Sequence, residues 1–310
     1  MKKVLITGAS GFVGKHVVDE LILNGYEVHA ISRQDHPDTE GTKWHKCDLF
    51  SERQVKDLLQ LIRPEYLMHL AWEATPGQYM RSLENYRWVQ ASLALLRIFH
   101  QIGGQRALIA GSCAEYKWNG GSLEEYSSDL TYDSPYAACK NYMRDLSFHY
   151  AQQTSMSLAW GRLFFLYGPH EPKNRLVPMV ISSLLNEEDA KCTEGKHRRD
   201  FLFVADAAAA LVAILRSNQN GVFNIASGDA VEVRSIINDI SHRLGKANLV
   251  RFGAIANPNE ADQVQADVTR LRSLGWTPKV GIGEGLDRTI QWWRQCLQNR
   301  RQERKIEDEV

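Results

Sequence analysis

The 310-residue chain has no C-x-x-C pair, no surplus of either charge and no long apolar run. Its five cysteines, Cys47, Cys113, Cys139, Cys192 and Cys296, are scattered and odd in number. That argues against a metal or redox clamp and a secreted disulfide framework, and fits reduced thiols in a cytoplasm. Lys plus Arg number 37, as do Asp plus Glu. The balance argues against a nucleic-acid surface built on phosphate contacts and against a polybasic membrane patch. No stretch reaches the roughly 20 apolar residues of a transmembrane helix. The apolar run after Lys3 ends at Ile6, too short for a signal peptide. There is no internal repeat and no linker rich in Pro, Gly or Ser. A cytoplasmic enzyme of one large domain or two fused ones is expected.

What is present is a β/α alternation. Lys3 to Thr7, Tyr26 to Ile31, Glu65 to Leu70, Arg106 to Ala110 and Met156 to Gly161 read as short buried strands. Phe12 to Leu23, Ser51 to Ile62, Ser82 to Ile102 and Pro135 to Gln153 carry helical spacing between them. This order predicts an α/β protein with a doubly wound parallel sheet. Beyond Arg162 the alternation loosens. Residues 1–165 read as a nucleotide-binding domain to which about 199–230 return. Residues 166–298 read mainly as a smaller interwoven α/β substrate domain, and 299–310 as a charged, frayed tail.

Gly8-x-x-Gly11-x-x-Gly14 stands between the first strand and first helix. Gly8 permits a tight turn, Gly11 a close approach of a pyrophosphate, and Gly14 close helix–strand packing. The helix N-terminus offers N–H groups to phosphates. A glycine trio alone is weak, but its place after the first strand of a β/α chain points to a dinucleotide. The second strand is followed by Ser32 and Arg33 where NAD enzymes carry an acid. Ser32 can donate, and Arg33 can pair with a 2′-phosphate, so NADP is preferred and NAD possible. The other reading of Arg33 is a surface charge, with Asp35 as a displaced carboxylate. Asp48 is a candidate for the adenine amino group or, equally, a loop cap.

Tyr136 and Lys140 lie four apart at the start of a helix and share a face. An ammonium there lowers a phenol's pKa toward proton exchange near neutrality. Ser112 follows the fourth strand, at the sheet end where ligands gather. Its hydroxyl can orient a carbonyl beside Tyr136.

Taken in order, Thr7-Gly8-Ala9-Ser10-Gly11-Phe12-Val13-Gly14, His69-Leu70-Ala71, Gly111-Ser112, Tyr136-x-x-x-Lys140 and Tyr167-Gly168-Pro169 resemble the extended short-chain dehydrogenase/reductase superfamily. Arg199-Asp200-Phe201-x-x-Val204-x-Asp206 and Leu274-Gly275-Trp276-x-Pro278 continue the likeness, over about residues 1 to 295. The resemblance implies a Rossmann domain with a C-terminal domain for nucleotide-diphosphate sugars. It implies that Ser112, Tyr136 and Lys140 are catalytic. Ser10, Phe12, Val13, Leu49, His69, Leu70, Ala71 and Trp72 would lie beside the cofactor. Cys113, Ala114, Phe165, Leu176, Val177 and Arg199 would line the substrate site, Arg199 meeting the nucleotide or diphosphate. It also implies a homodimer through Ser82 to Ile102 and Pro135 to Gln153, with Trp88 or Phe99 as candidate face residues.

Departures narrow the branch. The sugar 4,6-dehydratases of the family carry an Asp-Glu pair after the catalytic Ser/Thr; here Cys113 and Ala114 stand there, and neither is an acid or base. Phe165 replaces an Asn that contacts sugar nucleotides, and Trp88 stands where the family's helix Asn falls. The run Gly111-Ser112-Cys113-Ala114-Glu115-Tyr116 resembles NDP-4-keto-6-deoxyhexose reductases. An NADPH-dependent 4-ketoreductase is therefore expected, with an NDP-sugar epimerase holding NAD(P) and a non-catalytic dinucleotide sensor as alternatives.

Overall fold

Val4, Leu5 and Ile6 are completely buried, and the strand they form, β1 (Lys3–Thr7), lies inside a seven-stranded parallel sheet. The computed structural model describes residues 1–256 and 261–308. On one side of β1 come β2 (Glu27–Ser32) and β3 (Thr42–Lys46); on the other come β4 (Tyr66–His69), β5 (Arg106–Ser112), Ser157–Leu163 and Gly221–Ile225. The strand order reverses between β1 and β4, which opens a crevice at their carboxyl ends.

Helices cover both faces. On one, α1 (Phe12–Leu23) packs with α6 (Val204–Arg216) through Val17, Leu21, Leu211 and Leu215. On the other lie α2 (Glu52–Ile62), α3 (Glu84–Gln101) and α4 (Pro135–Thr154), with Leu59, Leu95, Phe99 and Met143 in the core. Ser51 caps α2 by accepting from Gln54 N, and Ser134 caps α4 by accepting from Ala137 N ahead of Pro135. Arg106, 5% exposed, reaches from β5 to the far end of α6. Its guanidinium donates to Ile214 O at 2.8 Å, Leu215 O at 2.9 Å and Gln219 O at 2.7 Å. A cation there satisfies helix carbonyls and complements the dipole.

The second layer is a cap. Its sheet orders Ala230–Glu232, Arg198–Phe203, Gln263–Ala266 and Ser122–Leu123, and Phe165–Tyr167 also pairs with Arg198–Phe203. The helices α5 (Leu176–Leu185), α7 (Val233–Leu244) and α8 (Ile282–Asp308) enclose its core around Tyr167, Ile181, Ile237 and Trp293. Two buried carboxylates brace it. Asp200 accepts from Ser227 N at 2.8 Å, Gly228 N at 3.1 Å and Ala266 N at 3.1 Å. Asp206 accepts from Lys279 N at 3.1 Å and Val280 N at 2.9 Å.

Several expectations change. The edge strand β3 carries Lys43, Trp44, His45 and Lys46 on a half-exposed edge, so it lacks the apolar run that marks the others. The fifth strand continues past Gly161 to Leu163, because Arg162 is buried inside it against a carboxylate rather than in a loop. The last helix, Ile282–Asp308, runs through most of the 299–310 stretch expected to fray; residues 309–310 lie outside the described residues. Phe99 is fully buried and Trp88 lines a groove, so neither presents an outer helix face.

Candidate active site

The turn after β1 shows what each glycine is for. Gly8 adopts φ +73°, and a Cβ there would stand 2.8 Å from Ala71 N. At Gly14 a Cβ would stand 2.0 Å from Gly8 O, so only glycine lets α1 rise this close to the turn. A Cβ on Gly11 would meet only Gly8 O, at 3.2 Å. The N-terminus of α1 has no side-chain cap, which leaves its first N–H groups for a ligand. A groove of 630 Å³ opens here, lined by Gly8, Ser10, Gly11, Ser32, Arg33, Asp48, Leu49, Ala71 and Trp72. Glycine turn, free helix N-terminus and groove together fit a dinucleotide.

The groove also has walls that the sequence does not announce. Gln34, Phe50 and Trp88 line it. Trp88 stacks on Trp72 with ring centres 6.1 Å apart and packs on Phe50 at 4.8 Å. Phe12, Val13, Gly14 and Leu70 support the turn without lining the groove. Ser32 Oγ accepts from Gln34 N at 3.1 Å and bonds to His36 Nε2 at 3.1 Å. Asp35 pairs with Lys46 at 2.6 Å and is not a groove residue. Asp48 Oδ1 accepts from Phe50 N at 3.1 Å, so it shapes its loop while facing the groove. His69 is structural: Nδ1 bonds to Thr7 Oγ1 at 2.7 Å and Nε2 to Ser92 Oγ at 2.8 Å. Burial and the Lys140 charge hold its pKa down at about 3, so it remains neutral.

Trp72, a wall of the groove, packs against Lys140, one of the expected catalytic residues. Ser112 ends β5, and its hydroxyl stands close enough to the Tyr136 phenol to favour the ionised form. Tyr136 lies on the first turn of α4, its N–H donating to Met80 O at 3.3 Å and its ring edge-on to Tyr79 at 4.8 Å. The residue as a whole is half-buried, but burial of the phenol raises its pKa above the usual tyrosine value, with the nearby Ser112 hydroxyl opposing. The direction differs from the lowering expected of the Tyr-x-x-x-Lys pair. The reason is geometric: Lys140 Nζ lies 6.0 Å from the Tyr136 ring centre and donates to Ala110 O at 2.8 Å. Burial lowers the Lys140 pKa to about 7, opposed by the charge of Glu115.

Glu115 is fully buried and already committed. It accepts from Arg162 Nε at 2.7 Å, Trp160 Nε1 at 3.0 Å and Ser112 N at 2.8 Å. Arg162 is likewise fully buried. The carboxylate therefore sets the backbone of the Ser112 turn and is not free to move protons. Cys113 packs against Tyr116, Leu123 and Phe164, and burial pushes its thiol up to about 12. Ala114 donates its N–H to Ser112 Oγ at 3.2 Å.

On the cap side, Arg199 is 3% exposed, with its guanidinium 5.5 Å from the Phe165 ring and 5.7 Å from the Trp118 ring. It donates to Arg198 O and Ala261 O, both at 2.8 Å. Phe165 and Arg199 are thus together, whereas Val177 packs into the cap core and Leu176 is only partly buried beside it. Two further groups escaped sequence reasoning. Arg175 precedes α5 and holds its guanidinium 5.5 Å from the Tyr79 ring. Glu171 is 6% exposed with Oε2 unpaired, and burial raises its pKa to about 8, opposed by Arg175. The charged run Glu171-Pro-Lys-Asn-Arg175 after Gly168-Pro169 was the available signal.

Comparisons agree with this geometry. The chain is 24% identical over 295 residues to the CDP-abequose synthase of Salmonella muenchen, covering 93% of this chain and 97% of that one. It is 26% identical over 245 residues to the dTDP-6-deoxy-L-talose 4-dehydrogenase (NAD(+)) of Aggregatibacter actinomycetemcomitans, covering 76% and 88%. The solved structure of MoeE5 in complex with UDP-glucuronic acid and NAD superposes with a TM-score of 0.82 at 29% identity, covering 95% and 99%. The sequence profile described as NAD dependent epimerase/dehydratase family matches residues 4–226, which is most of the chain. With its glycine turn, groove and Ser112–Tyr136–Lys140 cluster, this chain belongs to the NAD-dependent epimerase/dehydratase family of nucleotide-sugar enzymes.

Proposed function

We propose that the protein is an NADPH-dependent 4-ketoreductase acting on an NDP-4-keto-6-deoxyhexose. One observation carries the reading. Ser112 at the end of β5 and Tyr136 on the first turn of α4 stand together beside Lys140, while the carboxylate nearest Ser112 in sequence, Glu115, is locked onto Arg162. Proton transfer to an oxygen is provided for; acid/base elimination of water is not. The name of the 6-deoxytalose relative describes redox chemistry at C4 of a nucleotide-linked 6-deoxy sugar, in line with this choice.

A bound reduced nicotinamide would supply hydride to C4. Ser112 orients the substrate oxygen, and Tyr136, whose raised pKa keeps it protonated, gives its proton to that oxygen. Lys140, in its protonated form, places positive charge beside the reacting pair. Arg33, exposed on the groove, supplies a partner for a 2′-phosphate. Arg199 and Phe165 hold the nucleotide end of the substrate. A homodimer is part of the same proposal, through exposed Leu83 and Tyr86 on the α3 side and Tyr142 and Leu146 on α4.

Loss of nicotinamide absorbance with a panel of NDP-4-keto-6-deoxy sugars tests the reading. NADPH consumption with at least one is expected, and none with any overturns it. Replacing Arg33 by Ala should raise the Kd for NADPH but leave that for NADH nearly unchanged. An epimerase is the second reading, supported by the family match. It predicts NAD(P) that copurifies with the chain and no net consumption of NADPH.

A further inference from the structure

An ammonium at Lys140 stands in a place with little to support its charge. The residue is 4% exposed and donates to one backbone carbonyl, Ala110 O, at 2.8 Å. The titratable groups around it are Glu115 beyond β5, His69 at the end of β4 and Tyr136 one turn earlier on α4. Glu115 is engaged by Arg162, and His69 is neutral between Thr7 and Ser92. A buried ammonium with no carboxylate in contact sheds its proton unless another partner favours the charged form.

The structure holds such a partner. Lys140 Nζ stands 3.7 Å from the centre of the Trp72 ring, against 6.0 Å for the rings of Tyr136 and Trp160. Indole is the best aromatic face for a cation, and the attraction is greatest away from water. The ring is anchored: Trp72 Nε1 donates to Asn85 Oδ1 at 2.7 Å. Asn85 is fully buried and donates in turn to Tyr79 O and Ser82 O, each at 2.7 Å. The same short segment supplies Met80 O to the Tyr136 N–H and the Tyr79 ring to the Tyr136 ring. Trp72 is thereby fixed relative to both catalytic side chains.

We propose that Trp72 is a positioning residue: its indole face keeps Lys140 charged and sets the direction of the ammonium. A lysine has three donors. Ala110 O takes one and the ring faces another, which leaves a third for a hydroxyl of a ligand. Trp72 acts through Lys140, so this role rests on the Tyr136–Lys140 reading above, but the titration of the ammonium is measurable without turnover.

The test is the Lys140 signal in protein labelled with ¹³C-lysine, assigned by its loss in Lys140→Met and followed against pH. Trp72→Leu should lower the midpoint by about one pH unit or more. Trp72→Phe should lower it less. A fluorinated tryptophan placed at position 72 keeps the shape, drains the ring face and should also lower it, which covers the case of a Leu variant that does not fold. In turnover, the loss of kcat at high pH should move down by the same interval; a purely structural defect would reduce kcat alike at every pH. An unmoved midpoint with the fluorinated ring overturns the proposal. If Tyr136→Phe and Lys140→Met keep full turnover, the catalytic reading fails, and the titration still decides the role of Trp72.

Discussion

Replacing Glu115 by Gln keeps the shape of the side chain and removes one charge from beneath the Ser112 turn. In the native protein that carboxylate and Arg162 are both fully buried and meet at 2.7 Å. The guanidinium also donates to Glu125 O at 3.1 Å and lies over the Tyr116 ring at 4.2 Å, but neither partner is anionic at neutral pH. Removing one member of a buried pair leaves the other charge uncompensated and costs about 3–5 kcal/mol. Against a total stability of roughly 5–15 kcal/mol that is a large share. At about 2 °C per kcal/mol for a long chain, Tm should fall by roughly 6–10 °C. Denaturant unfolding and calorimetry measure it. The variant amide still offers an acceptor to Ser112 N–H, so kcat measured well below the transition should fall far less than stability does. Joint replacement by Leu and Met should recover much of the loss, since apolar pairs of similar volume often match a buried ion pair. A loss under about 1 kcal/mol for Glu115→Gln would refute the picture of a dry, paired Arg162.

Tyr136→Phe should lower kcat by about 10²- to 10⁴-fold with stability little changed, and turnover within a few-fold of wild type would remove Tyr136 from proton transfer. Gly14→Ala places a methyl 2.0 Å from Gly8 O, so stability should fall by about 1–3 kcal/mol and the Kd for the dinucleotide should rise, both read by thermal shift with and without cofactor. The Glu171 carboxyl rises from 4.5 to about 8 on folding, so the unfolded chain ionises first and stability drains away as pH climbs from about 4.5 to 8. Glu171→Gln removes that dependence; its stability relative to wild type should improve by up to a few kcal/mol between pH 5 and 8, whereas parallel curves would show the carboxyl to be solvated.

Much of the nucleotide half was legible because its signals are local. A glycine trio, short apolar strands and capped helices declare themselves within a dozen residues, and the turn around Gly8 and Gly14 follows from sterics alone. Strand β3 escaped because Lys43 and Lys46 put charge on an edge that faces water. The cap strands escaped because they run only two to six residues and draw partners from distant segments. At the site, Tyr136 and Lys140 could be paired by helical spacing, but the direction of the ammonium could not. It is set by Ala110 and Trp72, 30 and 68 positions away, and no periodicity links them. The commitment of Glu115 to Arg162, 47 residues further on, is likewise invisible to spacing.

Arg106 has a consequence for how the molecule assembles. Its carbonyl partners lie 108 to 113 residues downstream, in the last turn of α6 and just past it. During synthesis β5 emerges long before them, carrying a guanidinium that has nowhere to go. Collapse of the early strands would trap that charge in a half-built interior, which is expensive. The sheet therefore has reason to stay open until residue 219 has emerged, when α6 and the strand Gly221–Ile225 arrive together. Such distant closure predicts slow, late folding, with the unfinished edge in need of protection from other chains.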